Sequence, residues 1–291
     1  YYMNVPVISS IGIGFEALYI EPLWTTVILV FFLVVLRLTA AFLKKELYLD
    51  KGLSKKKEKI VGSKLYFLDR WGLLGILLKN DTSLIIRNIR AIQVVLTTGL
   101  FLFYGLIFFT QKTYRDMPAM LMFASLFITG GFALNYGQFI PAWDSAHYKL
   151  LMSQSFSYRK FLESKWVLMV SMTALLYLLS FPYLYFGTEI FLMITAGAVF
   201  NIGFNSLFLL YAGSFNRKRI DLTKGGFGNT QGTSATQFLV VVPLMIFPML
   251  LFWVFNKFIG YNSGFFVVAA IGVLGLILKN YFMNFIEKKY I

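Results

Sequence analysis

The sequence predicts an all-α, polytopic integral membrane protein with seven transmembrane helices. Three observations carry that expectation. Hydrophobic residues make up 58% of the 291 residues and charged residues 14%, against about 45–50% and about 25% in soluble domains. Seven stretches reach the roughly 20 mostly apolar residues that a membrane helix needs: Leu23–Leu43, Ala91–Thr110, Ala119–Phe139, Trp166–Phe186, Ile190–Ser214, Phe238–Phe258 and Phe265–Phe282. None alternates with period two, which disfavours a β-barrel. The third observation is the placement of the basic residues.

Residues 44–90 hold twelve Lys or Arg, 140–165 and 215–237 hold four each, and the C-terminal end adds Lys279, Lys288 and Lys289. The other side has only Lys112, Arg115 and Lys257, while Arg37 can snorkel from the first span. By the positive-inside rule, the N-terminus of this chain lies outside and its C-terminus is cytoplasmic. The net charge of +14 therefore reads as a topology signal and not as a nucleic-acid surface, which would need a basic face on a soluble module. Cys is absent and His147 is the single histidine, which excludes disulfides and thiolate metal sites and leaves no basis for a metal centre.

Taken in order, residues 1–43 read as an external segment followed by a first span. Tyr1–Pro22 is fairly apolar but carries Pro6, Gly12, Gly14 and Glu16, and it lacks the basic start of a signal peptide. We expect an earlier part of the polypeptide. Residues 44–72 form a basic cytoplasmic linker centred on Ser54–Lys59, suited to anionic lipid headgroups. Leu73–Arg90 is too polar to span. Leu74, Leu77, Leu78, Ile85 and Ile89 can share one helix face, and Lys79, Asn80, Ser83, Arg87 and Arg90 another, which describes an interfacial helix leading into the second span.

Between the third and fourth spans, Ile140–Trp166 reads as a short helix, a break near Ser153–Ser157, and a second helix entering the next span. Asp144 and Ser145 are N-cap candidates, and Ser157 with Lys160 fits a helix start only in part. Within the fifth span, Gly197, Asn201 and Asn205 recur every four residues on one stripe, and Asn135 and Gln138 lie near the inner end of the third. An unpaired amide in hydrocarbon is costly, so these residues should face protein or a water-filled path; helix-packing contacts and a path lining both fit. Pro182, Pro243 and Pro248 should kink their helices. No carboxylate is expected deep in a span.

The order of interfacial helix, two spans, polar helix, small polar break and basic span entry resembles the membrane subunit of ABC-2-type exporters. The matching residues are Asp144, Leu150, Leu151, Ser153, Ser157, Arg159, Lys160 and Lys165, with Lys79, Asp81, Arg87 and Arg90 upstream. Nearest is a bacterial family of ABC-2-like permeases in which two such halves share one chain. The resemblance covers residues 73–291 as a six-helix half, and it makes Leu23–Leu43 the last helix of a preceding half. It implies that Leu73–Arg90 is an elbow helix, with Lys79, Asp81, Arg87 and Arg90 as its polar residues. It also implies a cytoplasmic coupling helix whose Asp144, Tyr148, Leu151, Met152, Phe156, Arg159 and Lys160 meet an ABC-type ATPase. Two features depart from the family. Asn256–Ser263 is too short for an external domain, and Trp143-Asp144 replaces a glutamate-rich start.

The sequence thus points to a bacterial inner-membrane permease subunit of an ATP-driven exporter. ATP and Mg would be held by a separate ATPase, because no Gly-x-x-x-x-Gly-Lys-Ser/Thr loop occurs here and the chain itself is not expected to be an enzyme or to need a cofactor. The glycine-rich Gly225–Gly232 has no such lysine. It reads as a cytoplasmic turn or, with Arg217, Lys218 and Arg219, as a second ATPase contact. Membrane lipids and either the missing N-terminal half or a second permease complete the expected partners; nucleic acid is not among them. The alternative is a non-transporting scaffold subunit of a larger envelope complex. A weaker rival is a lipid-modifying enzyme built on His147 and Asp144.

Overall fold

The computed structural model describes residues 66–145, 157–215, 235–260 and 263–290, with a few isolated positions besides. Contacts divide the chain into two compact units, Tyr1–Glu58 and Lys59–Ile291, and the fold described is that of the second. The expected first span, Leu23–Leu43, lies almost wholly outside the described residues, as do 44–65 of the basic linker, whose end, 66–72, is helical. Tyr148, Leu151, Met152 and Phe156 of the expected coupling helix, and the Gly225–Gly232 segment, lie outside the described residues as well.

Every described element is helical. A 3-10 turn, Tyr66–Trp71, leads into α1, Gly72–Arg87. A Cβ on Gly75 would lie 1.7 Å from the Leu68 carbonyl oxygen, so only glycine lets the turn fold back onto the helix. The buried face of α1 carries Gly75, Leu77, Leu78 and Asp81. Leu74, Leu84 and Ile85 pack beside it. The expected single helix to Arg90 is interrupted. Asn88 is extended (ψ 126°), and its side-chain amide donates to the Leu84 carbonyl at 2.7 Å, a local bond that competes with helix propagation. Ile89 and Arg90 therefore belong to α2, Ile89–Thr110. Ile89 is exposed instead of sharing the apolar face, and Arg90 is buried instead of polar and outward.

A single helical turn, Lys112–Arg115, connects α2 to α3, Pro118–Gly137. The proline opens α3 where its missing N–H is not needed. Its Gly, Ser and Thr positions and most of its Ala, Leu and Ile side chains are buried, so the helix is enclosed over most of its surface. It is the centre of the bundle, packed against α2, α4 (Tyr158–Leu179), α5 (Thr188–Gly213) and α6 (Ala235–Phe258). By contrast α2 presents Leu96, Leu100 and Phe103 outward.

The expected kink at Pro182 is instead a helix end. Helix α4 stops at Leu179, and Pro182 opens a 3-10 turn, Phe181–Phe186, consistent with a ring that cannot continue the ladder. Helix α6 runs through both Pro243 and Pro248. The last expected span is broken: α7, Ser263–Ile277, and α8, Lys279–Tyr290, meet at 66°. Composition explains the change of direction. Helix α7 is almost wholly apolar, whereas α8 carries Lys279, Asn280, Asn284, Glu287, Lys288 and Lys289 and buries only Met283 and Ile286.

Four described helices, α2, α3, α4 and α5, are long and apolar enough to cross a membrane, and a fifth is added if the bent α7–α8 pair is one span. The Tyr290 hydroxyl pins the end of α8, donating to the Leu210 carbonyl at 2.8 Å. Tyr290→Phe should therefore lower stability by about 1 kcal/mol, read as a small fall in the thermal midpoint in detergent, with the bundle otherwise intact.

Candidate functional site

Among the described residues, the strongest concentration of buried charge lies where α1, α4 and the 3-10 turn Ala142–Asp144 converge. Lys165 is 1% exposed at its side chain, Asp81 5% and Asp144 12%. The Lys165 ammonium forms a short ion pair with Asp81 and lies 2.5 Å from Asp144 Oδ2. Its Nζ sits 4.9 Å from the Phe161 ring centroid. The Ser164 hydroxyl donates to Asp81 Oδ2 at 3.3 Å, and the Tyr136 hydroxyl on α3 feels all three charges.

Local sequence places each member. Asp81 lies on the same α1 stripe as Leu74, Leu78 and Ile85. Lys165 lies on the α4 stripe of Tyr158, Phe161, Leu162, Leu168 and Met169. Both are thus carried inward by helical phase. Asp144 is set by the turn after α3. Trp143 is 1% exposed, its ring stacks on Tyr136 at 5.2 Å, and its indole N–H donates to the Tyr136 carbonyl at 2.9 Å. Tyr136 stacks in turn on Phe132. This aromatic ladder holds the turn against α3 and aims Asp144 at Lys165. The helix start for which Asp144 is an N-cap candidate lies outside the described residues.

Two carboxylates share one ammonium, so the fully ionised cluster carries an excess negative charge in a dry site. Burial pushes the Asp81 carboxyl up from 3.8 to about 6, with Lys165 pulling it down and Asp144 pushing it further up. The folded state thus holds this proton more tightly than the unfolded chain. The Asp81 contribution to stability is greatest below the ordinary carboxylate range and is lost as pH rises through about 6. Thermal midpoints in detergent should fall between roughly pH 4 and pH 7, and Asp81→Asn should flatten that slope.

The other expected site residues divide by location. Lys79 pairs with Asp69 at 3.4 Å, and Lys160 with Glu163 at 3.0 Å, both at the surface. Arg87 is exposed at the end of α1. Arg159 turns inward along the bundle end. Its guanidinium donates to Glu163 at 3.1 Å, to Asn280 at 3.0 Å and closely to Asn284 on α8. A residue expected to meet a partner's rim is thereby engaged within its own chain.

Asn201 and Asn205 are fully buried. The Asn201 amide donates to the Leu126 carbonyl at 2.9 Å and to Thr129 Oγ1 at 2.8 Å, and the Asn205 amide donates to Asn201 Oδ1 at 2.7 Å. Gly197 continues the stripe against the backbone of Ser125 and Leu126. Asn201 thus joins α5 to α3, and Asn205 buttresses it from within α5, over a π-helical segment Asn201–Asn205. Asn135 and Gln138 instead line an open cleft of about 410 Å³ with Phe101, Phe123, Phe127, Leu134, Val242, Met245 and Ile246.

His147 lies outside the described residues. Among those residues, no group of three His, Cys, Asp or Glu could hold a metal ion. In the Asp81–Lys165–Asp144 cluster the ammonium occupies the position a cation would take.

The missed feature is the pairing itself. Asp81, Asp144 and Lys165 were each visible, but as elbow, cap and span-entry residues. The signal that could have joined them is the helical phase of Asp81 and Lys165, each on an apolar stripe where an unpaired charge would be prohibitive.

No curated protein and no solved structure matches the chain. A family model matches residues 1–291, the whole of the sequence, and the chain belongs to that family, described as a family of unknown function, DUF5687.

Proposed function

We propose that the chain is the transmembrane permease subunit of an ATP-driven exporter in a bacterial inner membrane, with seven spans and its C-terminus in the cytoplasm. The observation that carries this reading is the ionic cluster. Asp144 stands at the head of the segment expected to contact an ATPase, and it is paired through Lys165 to α4 and through the same ammonium to Asp81 on α1. Trp143 adds a rigid stack onto α3. A displacement of residues 146–156 would therefore be delivered to three helices at once.

On this reading α1 is the elbow helix on the cytoplasmic face. Nucleotide-driven closure of paired ATPases pushes the Asp144–Lys165 element, and α1, α3 and α4 tilt together to alternate access. ATP and Mg are bound by the partner ATPase. The test is purification from native membranes in mild detergent, with mass spectrometry and an ATPase assay, beside a Leu151→Asp, Met152→Asp variant. Co-purification of an ABC-type ATPase that the variant loses, at unchanged thermal midpoint, supports the proposal. Recovery of other envelope proteins without an ATPase overturns it in favour of a scaffold subunit.

A further inference from the structure

The cleft between α2, α3 and α6 has a layout that neither the ionic cluster nor an ATPase contact requires. Its volume of about 410 Å³ falls in the range of small-molecule sites, about 300–1,000 Å³, and such sites are mostly apolar with a few placed polar groups. Along α3 the lining runs from Phe123 to Gln138, about 22 Å at 1.5 Å per residue, which is the length scale of a long acyl chain. Phe101 and Phe127 meet at 4.4 Å between ring centroids and form one wall. Val242, Met245 and Ile246 form the other.

Polarity is confined to one end. Among the described residues, Asn135 and Gln138 are the only polar ones lining the cleft, and no Lys, Arg, Asp or Glu lines it. The Asn135 amide N–H donates to the Gly131 carbonyl at 2.8 Å, which leaves its carbonyl oxygen as an acceptor. Two neutral amides can bond a hydroxyl or an ester carbonyl, but they cannot offset a buried charge. Helices α2 and α3 are both of membrane-crossing length and apolarity, so the solvent at such a cleft is lipid.

We propose that this cleft binds a glycerolipid with an uncharged headgroup, its acyl chain along Phe101, Phe123 and Phe127 and its hydroxyl or ester group at Asn135 and Gln138. Binding of this kind is independent of any ATPase partner, so failure of the exporter reading leaves it intact.

The experiment uses the purified full chain in nanodiscs with a diacylglycerol that carries a diazirine on its acyl chain. After photolysis, mass spectrometry should place adducts on Phe101, Phe127 and the Val242–Ile246 segment. Excess unlabelled dioleoylglycerol should reduce them at least fivefold, and dioleoylphosphatidic acid should not. Phe127→Trp, which fills the cleft, should reduce them similarly. Phe266→Trp, on the exposed face of α7, should not. Asn135→Ala with Gln138→Ala should weaken diacylglycerol labelling, because its hydroxyl or ester group then has no partner, while phosphatidic acid still fails to compete. Adducts spread evenly over the outward-facing Leu96, Leu100 and Phe103 and insensitive to competitor would show annular lipid only and overturn the proposal. So would equal competition by the two lipids.

Discussion

Lys165→Met is expected to be among the most destabilising single substitutions in the described bundle, costing about 3–5 kcal/mol, the usual range when one partner of a buried ion pair is removed. Methionine fills much of the lysine volume, so the loss is electrostatic and not a cavity effect. What remains is Asp81 and Asp144 facing each other without a cation, in a site where Lys165 was 1% exposed and Asp81 5%. The measurement is the thermal midpoint by fluorescence-detected size exclusion in one detergent. A triple variant, Lys165→Met with Asp81→Asn and Asp144→Asn, removes all three charges and should recover most of the lost stability, because replacing a whole buried ionic group is often neutral. If the single and triple variants melt alike, the cluster is not an electrostatic unit and its role as a linkage between α1, α4 and the turn fails with it.

The same residues show how far sequence reasoning reached. The apolar runs located α2, α3 and α5 to within a few residues, because a long hydrophobic segment has few ways to satisfy its backbone other than a helix; for α4 the run Trp166–Phe186 was displaced by about two turns at each end. The amide stripe of Asn201 and Asn205 was legible for the same reason: buried amides spaced every four residues need partners, and Asn201 meets Leu126 and Thr129 while Asn205 donates to Asn201. What could not be read was which charges meet across more than eighty residues. Asp81 and Lys165 each sit on an apolar stripe, but the stripe states only that a charge is inward and does not name its counter-ion. The packing of α1 on α4 and the seating of Trp143 on Tyr136 make that choice. Helix ends were also hidden. Asn88 stops α1 through a bond to its own preceding turn, and Pro182 ends α4 where a kink was equally consistent with its ring. The turn at Leu278 follows from a contrast between two helices, α7 and α8, that a single hydropathy run merges into one.

A second large effect is expected at the crossing of α5 and α7, where the sequence shows only scattered glycines. A Cβ on Gly203 would lie 1.8 Å from the Gly272 carbonyl oxygen, one on Gly272 2.5 Å from the Val199 carbonyl oxygen, and one on Gly275 2.7 Å from the Gly203 backbone. The obstruction in each case is main chain, which cannot rotate away as a side chain can. Small residues at such crossings let backbones approach closely, and within a bilayer that packing substitutes for a hydrophobic drive. Gly203→Ala should therefore cost at the top of the roughly 1–3 kcal/mol typical of overpacking, or beyond it, although alanine is the better helix former. Gly99→Ala in α2 supplies the contrast, since nothing lies within 4 Å of its added methyl; there helix propensity alone acts and stability should rise by about 0.5–1 kcal/mol. The π-helical segment Asn201–Asn205 contains Gly203, so separation of α5 from α7 would also disturb the Asn201 contacts to α3. Thermal midpoints that move in opposite directions for the two variants, by several degrees for Gly203→Ala, are the expected result. Equal midpoints would mean that the α5–α7 crossing is not held at the backbone contact described.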